Sequence, residues 1–404
     1  LTSAKAGDEI LAVEIPDAAV RLRRLLHHGQ IIQSHALSFF HLSSPDILLG
    51  HDSDPSQRNI FGLLTAHPEL ARMGIRLRQF GQEIIEVLAG RKIHASWVVA
   101  GGVDEPLSEE GAKKLRAWLP EARKTIEHTL AFFKREMEKH QEEARTFGNF
   151  PSLFMGLVTK DGGLELYDGK IRFVDATGKV VADQLDPRKY QAYIGEAVEP
   201  WTYLKFPYYK PLGYPGGIYR VGPLARLNVA SHCGTPAADR ELAEFRQLGR
   251  GAVLSSFHYH YARLIEILFS IEKVEEILDH SEVLSKEVIA HARRTRYEGV
   301  GCSEAPRGTL FHHYKVKGGG LLTWANFIIA TGQNNLPMNQ TVLQIAKHFV
   351  DGKKLKEGML NRVEAGIRAY DPCLSCSTHA YGEMPLKIEL VEADGTVVDS
   401  VIRG

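Results

Sequence analysis

The sequence predicts a mainly α-helical body with small antiparallel β insertions, and three observations carry that expectation. Apolar residues return every three or four positions through 17–45, 56–90, 107–142, 239–280 and 337–370, the period of helices with a buried face. The stretch FMGLVTKDGGLELYDGKIRFVDATGKVV breaks that period with three turn signals between β-prone runs: Asp161-Gly162-Gly163, Asp168-Gly169 and Thr177-Gly178. The last 25 residues alternate apolar and polar side chains about Asp394-Gly395, as a hairpin does.

Taken in order, the opening LTSAKAGDEILAV reads as the interior of a helix, with no capping signal ahead of it. The turn-rich stretch predicts a small meander over about 152–184, inserted on the helical body. Between 201 and 228, WTYLKFPYYKPLGYPGGIYRVGPLARLN sets aromatic rings among Pro and Gly, which favours a long ordered loop that packs or forms an interface. Short strands are expected in 308–331 around Gly318-Gly319-Gly320. The final hairpin reads as an appendage.

A chain of 404 residues, 44% of them hydrophobic, is long enough for a large core, as two or three domains or one elaborated one. Lys+Arg and Asp+Glu both total 49, so no global field draws nucleic acid or an anionic membrane. Four cysteines are too few for a disulfide framework at this length, which points to a reducing compartment, the cytoplasm by default. No run reaches the roughly 18 apolar residues of a membrane span. No G-x-G-x-x-G follows a strand pattern, so no nucleotide-binding fingerprint is present.

Two of the four cysteines, Cys373 and Cys376, stand as C-x-x-C in YDPCLSCSTHA. Pro372 fixes the backbone before the pair, and a helical segment delivers it. A redox dithiol, half of a zinc site and half of another thiolate-bound metal centre all fit this spacing. A thioredoxin-like reading expects a strand ahead of the pair, and the segment there is helical. A zinc site needs two further ligands, and Cys233 and Cys302 are isolated.

The wider context is more specific. IRAYDPCLSCSTH resembles the D-P-C-x-x-C-x-x-H signature that closes the large subunit of [NiFe] hydrogenases. HALSFFHLSSPD, GRKIHASWVVAGGV and EAPRGTLFHHY resemble further elements of that family, in the family's order. The spellings FFHLSSPD, YRVGPLARLN, IIATGQNN and IRAYDPCLSC are most similar to the cytoplasmic bidirectional subgroup that exchanges electrons with NAD. The family's first cysteine pair, R-x-C-G-x-C, has no counterpart here, and LTSAKAGDEILAV resembles the helix that follows it. The resemblance therefore implies a large-subunit body over 1–379 that is incomplete at its N-terminus, expected to be inactive alone, and a 380–404 extension of the kind removed on maturation.

By the same resemblance, Cys373 is a terminal nickel thiolate and Cys376 bridges nickel to an iron carrying CO and CN ligands. His379 binds a magnesium or iron ion nearby. Arg307 lies over the metals as an electrostatic clamp, held by Asp46 and Asp371, while Pro306 and Thr331 line the space for the diatomic ligands. The implied reaction is reversible heterolytic cleavage of hydrogen, with Cys373 or Arg307 taking the proton. Electrons leave through a small iron–sulfur subunit, then through an FMN-carrying diaphorase module to NAD, and a maturation endopeptidase and nickel-insertion factors act on the precursor. Two other readings are a non-catalytic homologue like the related respiratory complex I subunit, and a structural metal-binding protein using the C-x-x-C. His258, His260, His312 and His313 read as structural.

Overall fold

The computed structural model describes residues 1–293, 295–373 and 386–403. Its core is organised by the helix Tyr259–Asp279, buried on nearly every side. A helix apolar all round belongs in an interior. This one also carries Arg263, Glu266 and Glu272 inside, so those charges need internal partners. Helices Asp17–Ala36, Glu109–Met137, Pro223–Val229 and Pro236–Arg246 pack around it. Helix Pro68–Ala89 lies on Asp17–Ala36, close enough that a Cβ on Gly81 would stand 2.7 Å from the Gly29 carbonyl oxygen.

Several long periodic stretches resolve into shorter pieces. The 17–45 stretch is the α-helix Asp17–Ala36, a π-helical turn Leu37–Ser43 and a short helix Ser44–Leu49. Pro45 sits at that last junction, where it has no N–H to continue the ladder. The 239–280 stretch is two helices, parted by a segment holding Gly249 and Gly251. Likewise 337–370 divides into Asn335–Phe349 and Glu357–Arg368 across Asp351-Gly352.

The meander consists of Leu153–Val158, Lys170–Val174 and Val180–Leu185, paired antiparallel. Its first strand is wholly buried, because its other edge pairs in parallel with Tyr219–Arg220 and helix Pro223–Val229 rests on it. Gly156 makes room for that helix, since a Cβ there would reach the Val229 side chain at 3.0 Å. Strand Lys205–Tyr209 pairs with Ile194–Val198 inside the aromatic stretch, and Trp201 and Tyr203 stay exposed.

A second sheet runs Leu322–Ile328, Gly308–Val316, Glu298–Ala305, all antiparallel. The strand Glu298–Ala305 was not expected, because EGVGCSEA has poor β propensity. Its glycines serve packing instead: a Cβ on Gly301 would collide with the Thr2 carbonyl at 2.0 Å, so helix Thr2–Leu11 lies directly on the strand. The tail forms the hairpin Leu386–Val391 and Val397–Arg403, and its Asp399 carboxylate accepts the Leu355 N–H at 2.8 Å. Among the described residues no helix is long and apolar enough to cross a membrane.

Candidate active site

Strands Glu298–Ala305 and Gly308–Val316 register Ala305 against Gly308, so Pro306 and Arg307 form a two-residue tip. The tip nests against Val221-Gly222. A Cβ on Gly308 (φ +142°) would meet the Val221 side chain at 2.3 Å, and one on Gly222 (φ +94°) would meet the Arg307 carbonyl oxygen at 2.9 Å. Both glycines therefore serve conformation and close approach together. Val221 is itself pinned, its N–H donating to Asn334 Oδ1 at 3.0 Å and its carbonyl accepting from the Tyr259 hydroxyl at 2.8 Å.

Beneath the tip lies Arg226, fully buried on the short helix Pro223–Val229. All five of its N–H donors find acceptors. Nε and Nη2 donate to the two carboxylate oxygens of Glu266 at 2.6 Å each, and Nη1 donates to Glu304 at 2.9 Å. The remaining two bonds reach the carbonyls of Ala305 at 2.9 Å and Pro306 at 3.1 Å. The guanidinium fork thus holds the backbone on which Arg307 stands.

The network continues outward. His35 Nε2 meets Glu266 at 2.7 Å, His27 Nε2 meets the Glu304 carbonyl at 2.6 Å, and Glu304 accepts from the Leu157 N–H and the Thr309 hydroxyl at 2.9 and 2.7 Å. Burial works against the Arg226 charge, yet Glu266 and Glu304 hold its pKa above the ordinary value. Burial alone would raise the Glu266 pKa; Arg226 and His35 outweigh it and hold that pKa at about 2. For Glu304 burial prevails, and its pKa is raised. Sequence reasoning missed Arg226 and Glu266 as site residues. The available signal was a charge placed on an otherwise apolar helical face in PLARLN and ARLIEIL.

Arg307 projects to the C-terminal segment. Its Nε donates to the Asp371 carbonyl at 2.5 Å, and the guanidinium lies 3.4 Å from both carboxylate oxygens. Asp371 is buried and left-handed at φ +53°, a conformation that Asp tolerates better than most residues. Burial raises its pKa against the pull of Arg263 and Arg307. Arg263, fully buried, donates from Nη2 to the Ala369 carbonyl at 2.6 Å and so fixes the chain two residues before Asp371. Two residues after it, the half-buried Cys373 donates its backbone N–H to Thr331 Oγ1 at 3.3 Å. Arg307, Asp371, Cys373, Pro306 and Thr331 thus belong to one locality. Cys376 and His379 lie outside the described residues.

Asp46 is not among the partners of Arg307. Its carboxylate receives four donors: Arg58 Nε at 3.1 Å, Asn361 Nδ2 at 3.0 Å, and Arg368 Nε and Nη2 at 3.0 and 2.8 Å. Four bonds fill the acceptor capacity of a carboxylate, which leaves nothing for Arg307. Asp46 instead ties the helix Ser44–Leu49 to Glu357–Arg368, the helix that leads into Asp371. His258 and His260 are buried in the core; His312 bonds Tyr314, and His313 bonds Tyr190 and Glu298.

The donor chemistry at this locality fits a soft metal. Cys233 and Cys302 are deeply buried, and burial raises the pKa of both thiols, which keeps them protonated and inert. Cys373 is only half-buried, next in chain to a proline that fixes its approach. Beside it the buried Asp371 Oδ2 has no hydrogen bond among the described residues beyond its ion pair with Arg307 Nε at 3.4 Å.

The family described as nickel-dependent hydrogenase matches residues 171–379. The beta subunit of the NAD-reducing hydrogenase HoxS of Cupriavidus necator is 38% identical, covering 100% of this chain and 86% of that protein. The vhc F420-non-reducing hydrogenase of Methanococcus voltae has a chain that is also 38% identical, over 95% of this chain and 82% of its own. The crystal structure of an NAD+-reducing [NiFe]-hydrogenase in the H2-reduced state superimposes with a TM-score of 0.90 at 44% identity, covering 94% of this chain and 84% of that one. The Ni-Fe-Se hydrogenase of D. vulgaris Hildenborough shares the fold at a TM-score of 0.70 and 23% identity, over 94% and 85% of the two chains.

Proposed function

The chain belongs to the nickel-dependent hydrogenase family, and on that premise we propose that it is the catalytic subunit of a cytoplasmic, NAD-linked [NiFe] hydrogenase whose active site is assembled at Arg307, Asp371 and Cys373. The observation that carries this reading is the Arg307 tip held against Asp371, two residues from a half-buried cysteine. Cys373, with Cys376 and His379 from beyond the described segment, would hold the metals. When bound, a nickel–iron centre supplies Lewis acidity toward hydrogen and a route for electrons.

The protein's own groups divide the remaining work. Arg307 keeps a fixed positive charge at the site; a delocalised guanidinium is a poor base, so it polarises rather than deprotonates. Cys373 Sγ is the atom that takes the proton. Thr331 Oγ1 already accepts the Cys373 N–H, and its hydroxyl would be the group to donate to a cyanide on iron. Pro306, its carbonyl held by Arg226, would line the space for the diatomic ligands. A magnesium or iron ion at His379 would complete the site.

No flavin or dinucleotide fingerprint occurs in the sequence, so electrons pass to a small iron–sulfur subunit, then to an FMN-carrying diaphorase module. Exposed Trp201 and Tyr203, beside the strand Lys205–Tyr209, offer an apolar surface for such a partner. A maturation endopeptidase would act after His379 once nickel-insertion factors have loaded the site. The test is the assembled heteromeric enzyme, wild type and Cys373→Ser, assayed for nickel and for hydrogen-dependent reduction of NAD and of a viologen dye. Loss of nickel and of both activities in the variant is expected. A variant that keeps nickel and turnover overturns the site assignment, and a wild type that reduces dye but not NAD overturns the NAD link.

A further inference from the structure

Away from the nickel locality, three buried groups converge: His51 in the turn after Ser44–Leu49, and His140 with Glu143 at the start of the helix Gln141–Thr146. One donor atom from each lies within 4.8 Å of the others. His140 Nε2 contacts the Ile47 carbonyl at 2.8 Å, so that nitrogen must carry the proton. Its Nδ1 lies 3.8 Å from Glu143 Oε2 in a buried place. His51 is 4% exposed, and neither of its ring nitrogens has a hydrogen-bond partner among the described residues.

Such a set wants an electrophile. We propose that His51, His140 Nδ1 and Glu143 bind a divalent first-row metal ion of borderline softness, zinc foremost, as a structural site separate from the nickel centre. Two imidazoles and a carboxylate are a zinc donor set with one position left for water. The supporting bonds are those that orient metal ligands: the His140 N–H to a backbone carbonyl, and Arg362 Nε to the second Glu143 oxygen at 3.2 Å. The ion would brace the turn at His51 against the start of Gln141–Thr146 and, through Arg362, against the helix Glu357–Arg368 that leads to Asp371.

The experiment uses the assembled enzyme, exposed to a chelator and then to zinc alone, with metal content and the zinc K-edge spectrum measured. Wild type should hold zinc in a shell of nitrogen and oxygen at about 2.0–2.1 Å with imidazole scattering and no sulfur. His51→Gln and Glu143→Gln should each lower zinc at this position from about one equivalent to under about a tenth while nickel stays, and Cys373→Ser should leave it in place. Absence of zinc from the wild type, a shell containing sulfur, zinc unchanged in both Gln variants, or zinc lost in Cys373→Ser overturns the proposal. The wild-type spectrum decides the matter even where a variant does not fold.

Discussion

Arg307 grips Asp371 twice, its Nε donating to the backbone carbonyl at 2.5 Å and its guanidinium lying 3.4 Å from the carboxylate. The two residues are 64 apart in sequence, so this contact closes the hairpin tip onto the cysteine-bearing segment. A lysine ammonium at 307 would keep the charge but could not span carbonyl and carboxylate in one plane. Arg307→Lys is therefore expected to lower kcat for hydrogen oxidation by about 10²–10³-fold with nickel content unchanged. Dye-linked turnover measured beside nickel analysis checks this, and a variant within about threefold of wild type would remove Arg307 from the mechanism.

The second expectation concerns what stands under that tip. Arg226 and Glu266 form a fully buried bidentate pair, and breaking one partner leaves a charge with no water to turn to. Glu266→Gln replaces a carboxylate oxygen by an N–H donor facing Arg226. We expect a loss of about 3–5 kcal/mol in unfolding free energy, read as a lower urea midpoint, together with lowered activity as the Pro306 carbonyl loses its anchor. Unchanged stability would mean that Glu304 alone satisfies Arg226.

How much of this was legible in the sequence differs by residue. Cys373, Arg307 and Asp371 are spelled out in short contiguous words, and the structure brings them to one place. Arg226, Glu266 and His35 lie on three separate helices, and His35 and Glu266 are 231 positions apart, so no local period announces their contact. Asp46 looked like an arginine holder, which it is; only the packing of Ser44–Leu49 against Glu357–Arg368 decides that the arginines are Arg58 and Arg368. Helix existence followed from periodicity, whereas helix ends turned on single residues such as Pro45 and Gly352 that periodicity averages over.

Acid sensitivity follows from buried histidine. Burial lowers the His258 pKa from 6.5 to about 4. Between those values the unfolded chain binds a proton that the folded chain refuses. The contribution to stability is therefore full above the unfolded pKa and shrinks as pH falls to about 4, below which this group adds no further loss. The slope in that interval is about 1.4 kcal/mol per pH unit for this residue. His258→Phe should flatten the decline by that amount in urea denaturation repeated across the interval. An unaltered slope would assign the acid response to other groups, His35 among them, whose pKa burial also lowers to about 4.

Gly222 offers a test of positioning without touching any charged group. Its backbone, φ +94° with ψ −166°, lies in a region that side-chain-bearing residues rarely occupy, and a Cβ there would press on the Arg307 carbonyl oxygen at 2.9 Å. Gly222→Ala should cost about 1–3 kcal/mol of stability from backbone strain. It should also displace the Arg307 backbone, since a Cβ 2.9 Å from its carbonyl oxygen forces one of the two to shift. If catalysis depends on where Arg307 stands, kcat falls by about tenfold or more, with nickel retained and the KM for hydrogen little moved, since small misplacements at a reacting centre cost rate before binding. A variant that loses stability but keeps kcat would separate the two roles, leaving Gly222 as a packing residue and Arg307 as a charge whose exact seat does not matter.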